Sequence, residues 1–121
     1  LVAVDISAGM ITTMSRKTDF VIVSTTTDSL GKAGRLAEKI VKSRLAACVQ
    51  YMPIRSIYRW KGKVEKANEY LLISKTRASL AGRLLSFMRK NHSYEVPEIV
   101  ITPVTGGLKE YLSWIDKETG K

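Results

Sequence analysis

Two strand-like runs joined by Lys61-Gly62 constrain this chain more than any other feature. Ile54-Arg55-Ser56-Ile57-Tyr58-Arg59-Trp60 mixes large and charged side chains, which suits a strand with both faces partly buried or with one face against a partner. Gly62 supplies the positive φ that a two-residue primed turn requires. The return run, 64–76, starts polar and turns apolar from Tyr70 onward, so the hairpin is long and its tip projects beyond the core. A polar and aromatic arm of this kind needs cover, and in a chain this small another subunit supplies it. Residues 46–52 read as the first half of the outgoing strand, and Pro53 demands either an edge position or a bulge there.

The remaining elements fall around this hairpin. Residues 19–26 are β-branched and apolar over a short length, the pattern of a buried strand. Thr27-Asp28-Ser29 offers capping side chains, and Leu30, Ala33, Leu36-Ala37, Ile40-Val41 and Leu45 then recur on one helical face. Lys32, Arg35, Lys39 and Lys42 occupy the opposite face and read as solvated. A second helix is predicted over 79–91, a last strand over 98–104 and a short closing helix around Leu108, Tyr111-Leu112 and Ile115. The order βαββαβ plus a helix predicts an α+β, ferredoxin-like sandwich with both main helices on one face of an antiparallel sheet. A chain of 121 residues suits one domain, assigned to 19–121. Residues 1–18 break every period and read as an appendage: a leader, an alternative start at Met10 or Met14, or an expression remnant.

The formal charge of +9 raises the question of nucleic acid, but the basic residues form no block, so no specific nucleic-acid partner is expected. Cys48 is the only cysteine, which excludes an intramolecular disulfide and a thiol-rich zinc site. A reducing compartment follows most simply, and the chain is expected in the cytoplasm, or in an organelle if 1–18 is a leader. No apolar run approaches the ~20 residues of a spanning helix, so no membrane partner is expected.

Chemistry concentrates in His92-Ser93-Tyr94-Glu95-Val96-Pro97-Glu98, which holds the only histidine beside a phenol and a carboxylate. Pro97 stiffens the approach to the apolar run Ile99-Val100-Ile101. The same stretch is also an ordinary way to end a helix, with His92 as a cation near the last turn. Cys48 reads either as a ligand or as a small buried hydrophobe. Phosphate-cradling glycine loops, paired zinc-site histidines and a nucleophile elbow are all missing, so no enzyme is expected.

Four segments in order carry a resemblance: Ser43-Arg44-Leu45-Ala46-Ala47-Cys48-Val49, Ser56-Ile57-Tyr58-Arg59-Trp60-Lys61-Gly62-Lys63, Lys75-Thr76 and His92-Ser93-Tyr94-Glu95-Val96-Pro97-Glu98. From about Phe20 to Ile115 the chain resembles the CutA divalent-cation-tolerance family. The resemblance implies a tightly packed homotrimer, with Trp60 and Tyr58 as interface anchors, and a role in tolerance of copper or other divalent cations. Where some bacterial members resemble copper binders with a strand-end cysteine and paired histidines, this chain has Ser24, Asn91 and His92. The metal candidates that remain are His92 and Cys48, a set that favours weak Cu(II) or Zn(II) binding over a tight Cu(I) site. No metal is expected to be needed for folding. Junctions between subunits would bring Tyr94, Glu95 and His92 towards Lys75, Glu65 or Trp60, a mixed-charge pocket for a small anion or a metal chelate. The alternative is a trimeric scaffold, or a small-molecule sensor resembling the PII signalling proteins in fold, that recruits other proteins.

Overall fold

A computed structural model describes residues 18–120, so all of the expected appendage except Thr18 lies outside the described residues. The elements run β1 (Phe20–Thr27), α1 (Leu30–Lys42), β2 (Cys48–Trp60), β3 (Lys63–Arg77), α2 (Ala81–Lys90), β4 (Ile99–Val104) and α3 (Lys109–Glu118). The sheet order is β2-β3-β1-β4 with every pairing antiparallel, the ferredoxin-like arrangement expected from the element order.

Period-two burial explains why the helices settle on one face. Val21, Val23 and Thr25 of β1 and Leu72, Ser74 and Thr76 of β3 are buried and alternate with less buried neighbours. Against them α1 buries Ala33, Leu36, Ala37 and Ile40, and α2 buries Ala81, Leu84 and Met88. Ser29 caps α1, its Oγ accepting the Lys32 amide at 3.2 Å. The helix ends with Arg44 at φ 59° and with Leu45 N–H donating to Ile40 O, the geometry of a Schellman cap. The second helix begins at Ala81 rather than Ser79: residues 78–80 form a 3₁₀ turn instead, tied to the start of β1 by the Ala78 amide, 2.7 Å from Asp19 O.

The hairpin ladder runs without interruption from Cys48↔Lys75 to Trp60↔Lys63. Pro53 therefore sits in an edge strand with no bulge, where its missing N–H costs no ladder bond. Lys61 and Gly62 both have positive φ, 49° and 81°, as a type I′ turn requires. Strand β1 pairs with β3 only from Tyr70 to Arg77. Residues 54–60 and 63–69 thus form a two-stranded arm with no third strand, about 24 Å long at ~3.4 Å per residue. The arm carries Ile57 and Val64 at 70% and 60% exposure, with Tyr58 and Trp60 also exposed.

The sheet face turned away from α1 and α2 carries Ile22, Met52, Leu71, Ile73 and Val100, none of them fully buried. The last helix covers only one end of this face. It packs on β3, where Arg77 donates from Nε to Thr119 Oγ1 at 2.8 Å and Lys75 Nζ lies 5.6 Å from the Tyr111 ring centroid.

Candidate functional site

The loop 91–98 leaves the end of α2 and crosses the end of β1 before β4 begins. Two contacts anchor it there. Thr25 Oγ1 donates to Glu98 O at 2.7 Å, and His92 Nε2 lies 2.6 Å from Thr26 O. The other ring nitrogen, His92 Nδ1, accepts the Tyr94 amide at 3.1 Å. A carbonyl only accepts and an amide N–H only donates, so the imidazole is held as the neutral tautomer with its proton on Nε2. Both ring nitrogens are engaged with backbone, and in this arrangement the imidazole has no lone pair left for a metal.

The loop also presents Tyr94. Its ring meets His92 edge-on, with centroids 4.7 Å apart, and its hydroxyl donates to Glu69 Oε2 at 2.7 Å. Glu69 is 7% exposed and stands where β3 emerges from beneath β1 into the arm. Burial, then the hydrogen bond to Glu69 and the charge of that carboxylate, push the Tyr94 phenol well above its ordinary pKa. The result is a locked corner at the base of the arm, in which Tyr94 stays a neutral donor to a buried carboxylate.

The other residues singled out from sequence occupy different places. Tyr58 pairs with Glu65, and Trp60 with Lys63, on the face of the arm that continues the one bearing Glu69. Lys75 pairs with Cys48 at the far end of the sheet, six residues or about 20 Å from Glu69 along β3. Within one chain Tyr58, Glu65 and Trp60 lie on the arm, with Tyr58 near enough to add to the electrostatic pressure on the Tyr94 phenol, while Cys48 and Lys75 lie beside α3, away from Tyr94. Glu95 is exposed. Cys48 is four residues along β2 from Met52, whose row, Met52↔Leu71↔Thr26, holds the His92 contact, so about 14 Å of strand separates the two metal candidates. Among the described residues no three His, Cys, Asp or Glu side chains stand close enough to hold an ion.

Glu69 is the residue the sequence reading missed. A signal existed: counting by twos from Ile73 and Leu71 places Glu69 on the same face, at the point where the strand changes from apolar to polar. A lone carboxylate at such a boundary asks for a donor.

The chain's fold and sequence have clear relatives. A family model described as CutA1 divalent ion tolerance protein matches residues 21–118. The chloroplastic protein CutA of Arabidopsis thaliana is 42% identical over 106 residues, which make up 87% of this chain and 58% of that protein. The divalent-cation tolerance protein CutA of Archaeoglobus fulgidus is 41% identical over 92 residues, 76% of this chain and 90% of that protein. The crystal structure of CutA1 from Oryza sativa superposes with a TM-score of 0.82 at 40% identity, covering 87% of this chain and 97% of that one. The chain thus spans just over half of the plant protein and nearly all of the archaeal one. The family description and the name of the archaeal protein both speak of tolerance of divalent cations. The match over 21–118, joined to the ferredoxin-like sheet with its projecting arm, makes this chain a member of the CutA1 divalent ion tolerance family.

Proposed function

We propose that the protein acts as a homotrimer in tolerance of, or response to, divalent cations, and that it is a binding protein rather than an enzyme. A metal ion such as Cu(II), or a small ligand, is held weakly where subunits meet. The observation that carries this reading is the arm: seven residue pairs of ribbon without a third strand, showing Tyr58, Trp60, Ile57 and Val64 to solvent. An isolated two-stranded ribbon is marginal in water and gains most from being covered. The half-exposed sheet face with Ile22, Leu71, Ile73 and Val100 is a complementary apolar surface for a second copy.

Assembly would also bring together what one subunit keeps apart. An arm laid across a neighbour would carry Trp60 and Glu65 towards that neighbour's Lys75 and Cys48, or towards its Tyr94 corner. Donor atoms for a cation then come from two chains, Cys48 among them, in keeping with the lack of a ligand cluster within one chain among the described residues. A reducing compartment, cytoplasmic or organellar, suits the single thiol.

Calorimetric titration of the metal-free protein with Cu(II) and with Zn(II), beside Cys48→Ala and His92→Ala, tests the binding part. Saturable binding weakened by Cys48→Ala supports direct metal handling. No saturable binding by an intact oligomer removes it and leaves the scaffold reading, in which the assembled surface recruits another protein.

A further inference from the structure

We propose that the cleft between α1 and the start of the 91–98 loop binds the phosphate groups of a small phosphorylated molecule. The cleft has a volume of about 160 Å³ and is lined by cations from one helical face, Lys32, Arg35 and Lys39, together with Thr27, and by Ser93 across from α1. No carboxylate lines it. Asp28, just outside, pairs with Lys32 at 3.0 Å, and Lys32 Nζ also reaches Ser93 Oγ at 3.3 Å, so the ammonium already bridges the two walls. Arg35 and Lys39 have no acidic side chain within ion-pair distance among the described residues.

Local structure holds these groups in place. The Arg35 guanidinium folds back over Gly31, where an added Cβ would come within 3.2 Å of Nη1. That glycine therefore lets a planar, five-donor fork lie close to the helix near the cleft. The His92 imidazole forms part of the wall as a neutral ring, and its two backbone hydrogen bonds fix Ser93 opposite α1. Lys32 and Lys39 are seven residues apart, about 10 Å of helix axis at 1.5 Å per residue. A row of three cations over that length, in a concave site, fits a compact group of high negative charge better than a single carboxylate. The spread of basic residues elsewhere on the chain, without a continuous stripe, argues for a small molecule over a polynucleotide. This site depends on neither the metal nor the assembly proposed above.

The test is calorimetric titration of the full chain at fixed ionic strength with inorganic phosphate, inorganic pyrophosphate, adenosine diphosphate and citrate, repeated on Arg35→Ala, Lys39→Ala and Lys42→Ala. Lys42 is an exposed lysine of the same helix that pairs with Glu38 and does not line the cleft. The expected result is saturable binding of pyrophosphate or the nucleotide, weakened about tenfold or more by Arg35→Ala and by Lys39→Ala and unchanged by Lys42→Ala. Tighter binding of the nucleotide than of pyrophosphate would identify an organic phosphate as the ligand, and the reverse an inorganic one. Equal weakening by all three variants would show general charge attraction and overturn the site, as would no saturable binding. Citrate binding as tightly as either phosphate compound would overturn the assignment to phosphate.

Discussion

The Tyr94 hydroxyl donates to the buried Glu69 carboxylate at 2.7 Å, joining the 91–98 loop to the base of the arm across 25 positions of sequence. This bond ties the middle of the loop to the first residue of β3 beyond the β1 pairing. Tyr94→Phe keeps the ring and removes the donor, leaving a buried carboxylate short of a partner. The expected loss is about 1–3 kcal/mol of unfolding free energy, measured by urea denaturation at matched protein concentration. A loss within error of zero would mean that solvent serves Glu69 equally well.

The same bond predicts an alkaline pH dependence. In the unfolded chain the Tyr94 phenol ionises near pH 10. In the fold it is held well above that, chiefly by burial and then by Glu69. Above about pH 10 the folded state therefore binds the extra proton, and stability falls as pH rises towards the folded value. The stability gap between wild type and Tyr94→Phe should accordingly narrow above pH 10 and stay constant below it. Denaturation curves across that range check the sign, and a gap that widens contradicts it.

His92 is predicted to act first on the loop. His92→Ala removes the contacts to Thr26 O and to the Tyr94 amide, so exchange of the Tyr94 N–H should quicken by at least about tenfold, the equivalent of ~1.4 kcal/mol of lost protection. Hydrogen exchange read by NMR measures this directly. Unchanged protection would show that Pro97 and the Thr25–Glu98 bond suffice to hold the loop.

Ser74 offers a gain. Its hydroxyl is buried in β3 with no hydrogen-bond partner among the described residues. Replacing it by alanine removes an unsatisfied polar group and only one heavy atom, so Ser74→Ala should be neutral or stabilise by about 1 kcal/mol. A thermal melt showing clear destabilisation would reveal a partner for the hydroxyl.

Much of the fold was legible because local chemistry and tertiary position agree. Lys61-Gly62 had one sensible turn, an edge strand was one of the two settings open to Pro53, and the change in β3 from polar to apolar at Tyr70 marks where β1 begins to cover it. The start of α2 was less legible. No side chain caps it, and the Ala78–Asp19 backbone bond that shapes the 3₁₀ turn joins residues far apart in sequence. The site divided in the same way. The His92 to Glu98 stretch was visible as a cluster, but its buried acceptor, Glu69, sat among the polar residues of the arm and looked like one of them. Lys32, Arg35 and Lys39 read as a solvated helical face because only the folded loop, bringing Ser93 opposite, turns that face into a cleft. Lys75 and Trp60 could be placed on strands, yet the ~20 Å of ribbon between either of them and Glu69 needed the register to be known.

The arm makes the most exposed prediction. Trp60 lies beside the turn with Lys61 Nζ 5.6 Å from its ring and with no third strand over it. Trp60→Ala should leave the subunit's far-ultraviolet dichroism unchanged while weakening association by at least about 2 kcal/mol, the scale of a buried aromatic anchor. Concentration-dependent sedimentation of the variant separates the two effects, and a variant that associates as tightly as wild type rules Trp60 out as an anchor.

The most direct measurement is the solution mass of the wild-type chain by light scattering, from high to low micromolar concentration, without added metal. A mass three times the 13.5 kDa of the chain, stable on dilution, is the result that the proposed homotrimer requires. A monomer throughout that range would contradict the trimer, and with it the proposal that ligands are held where subunits meet.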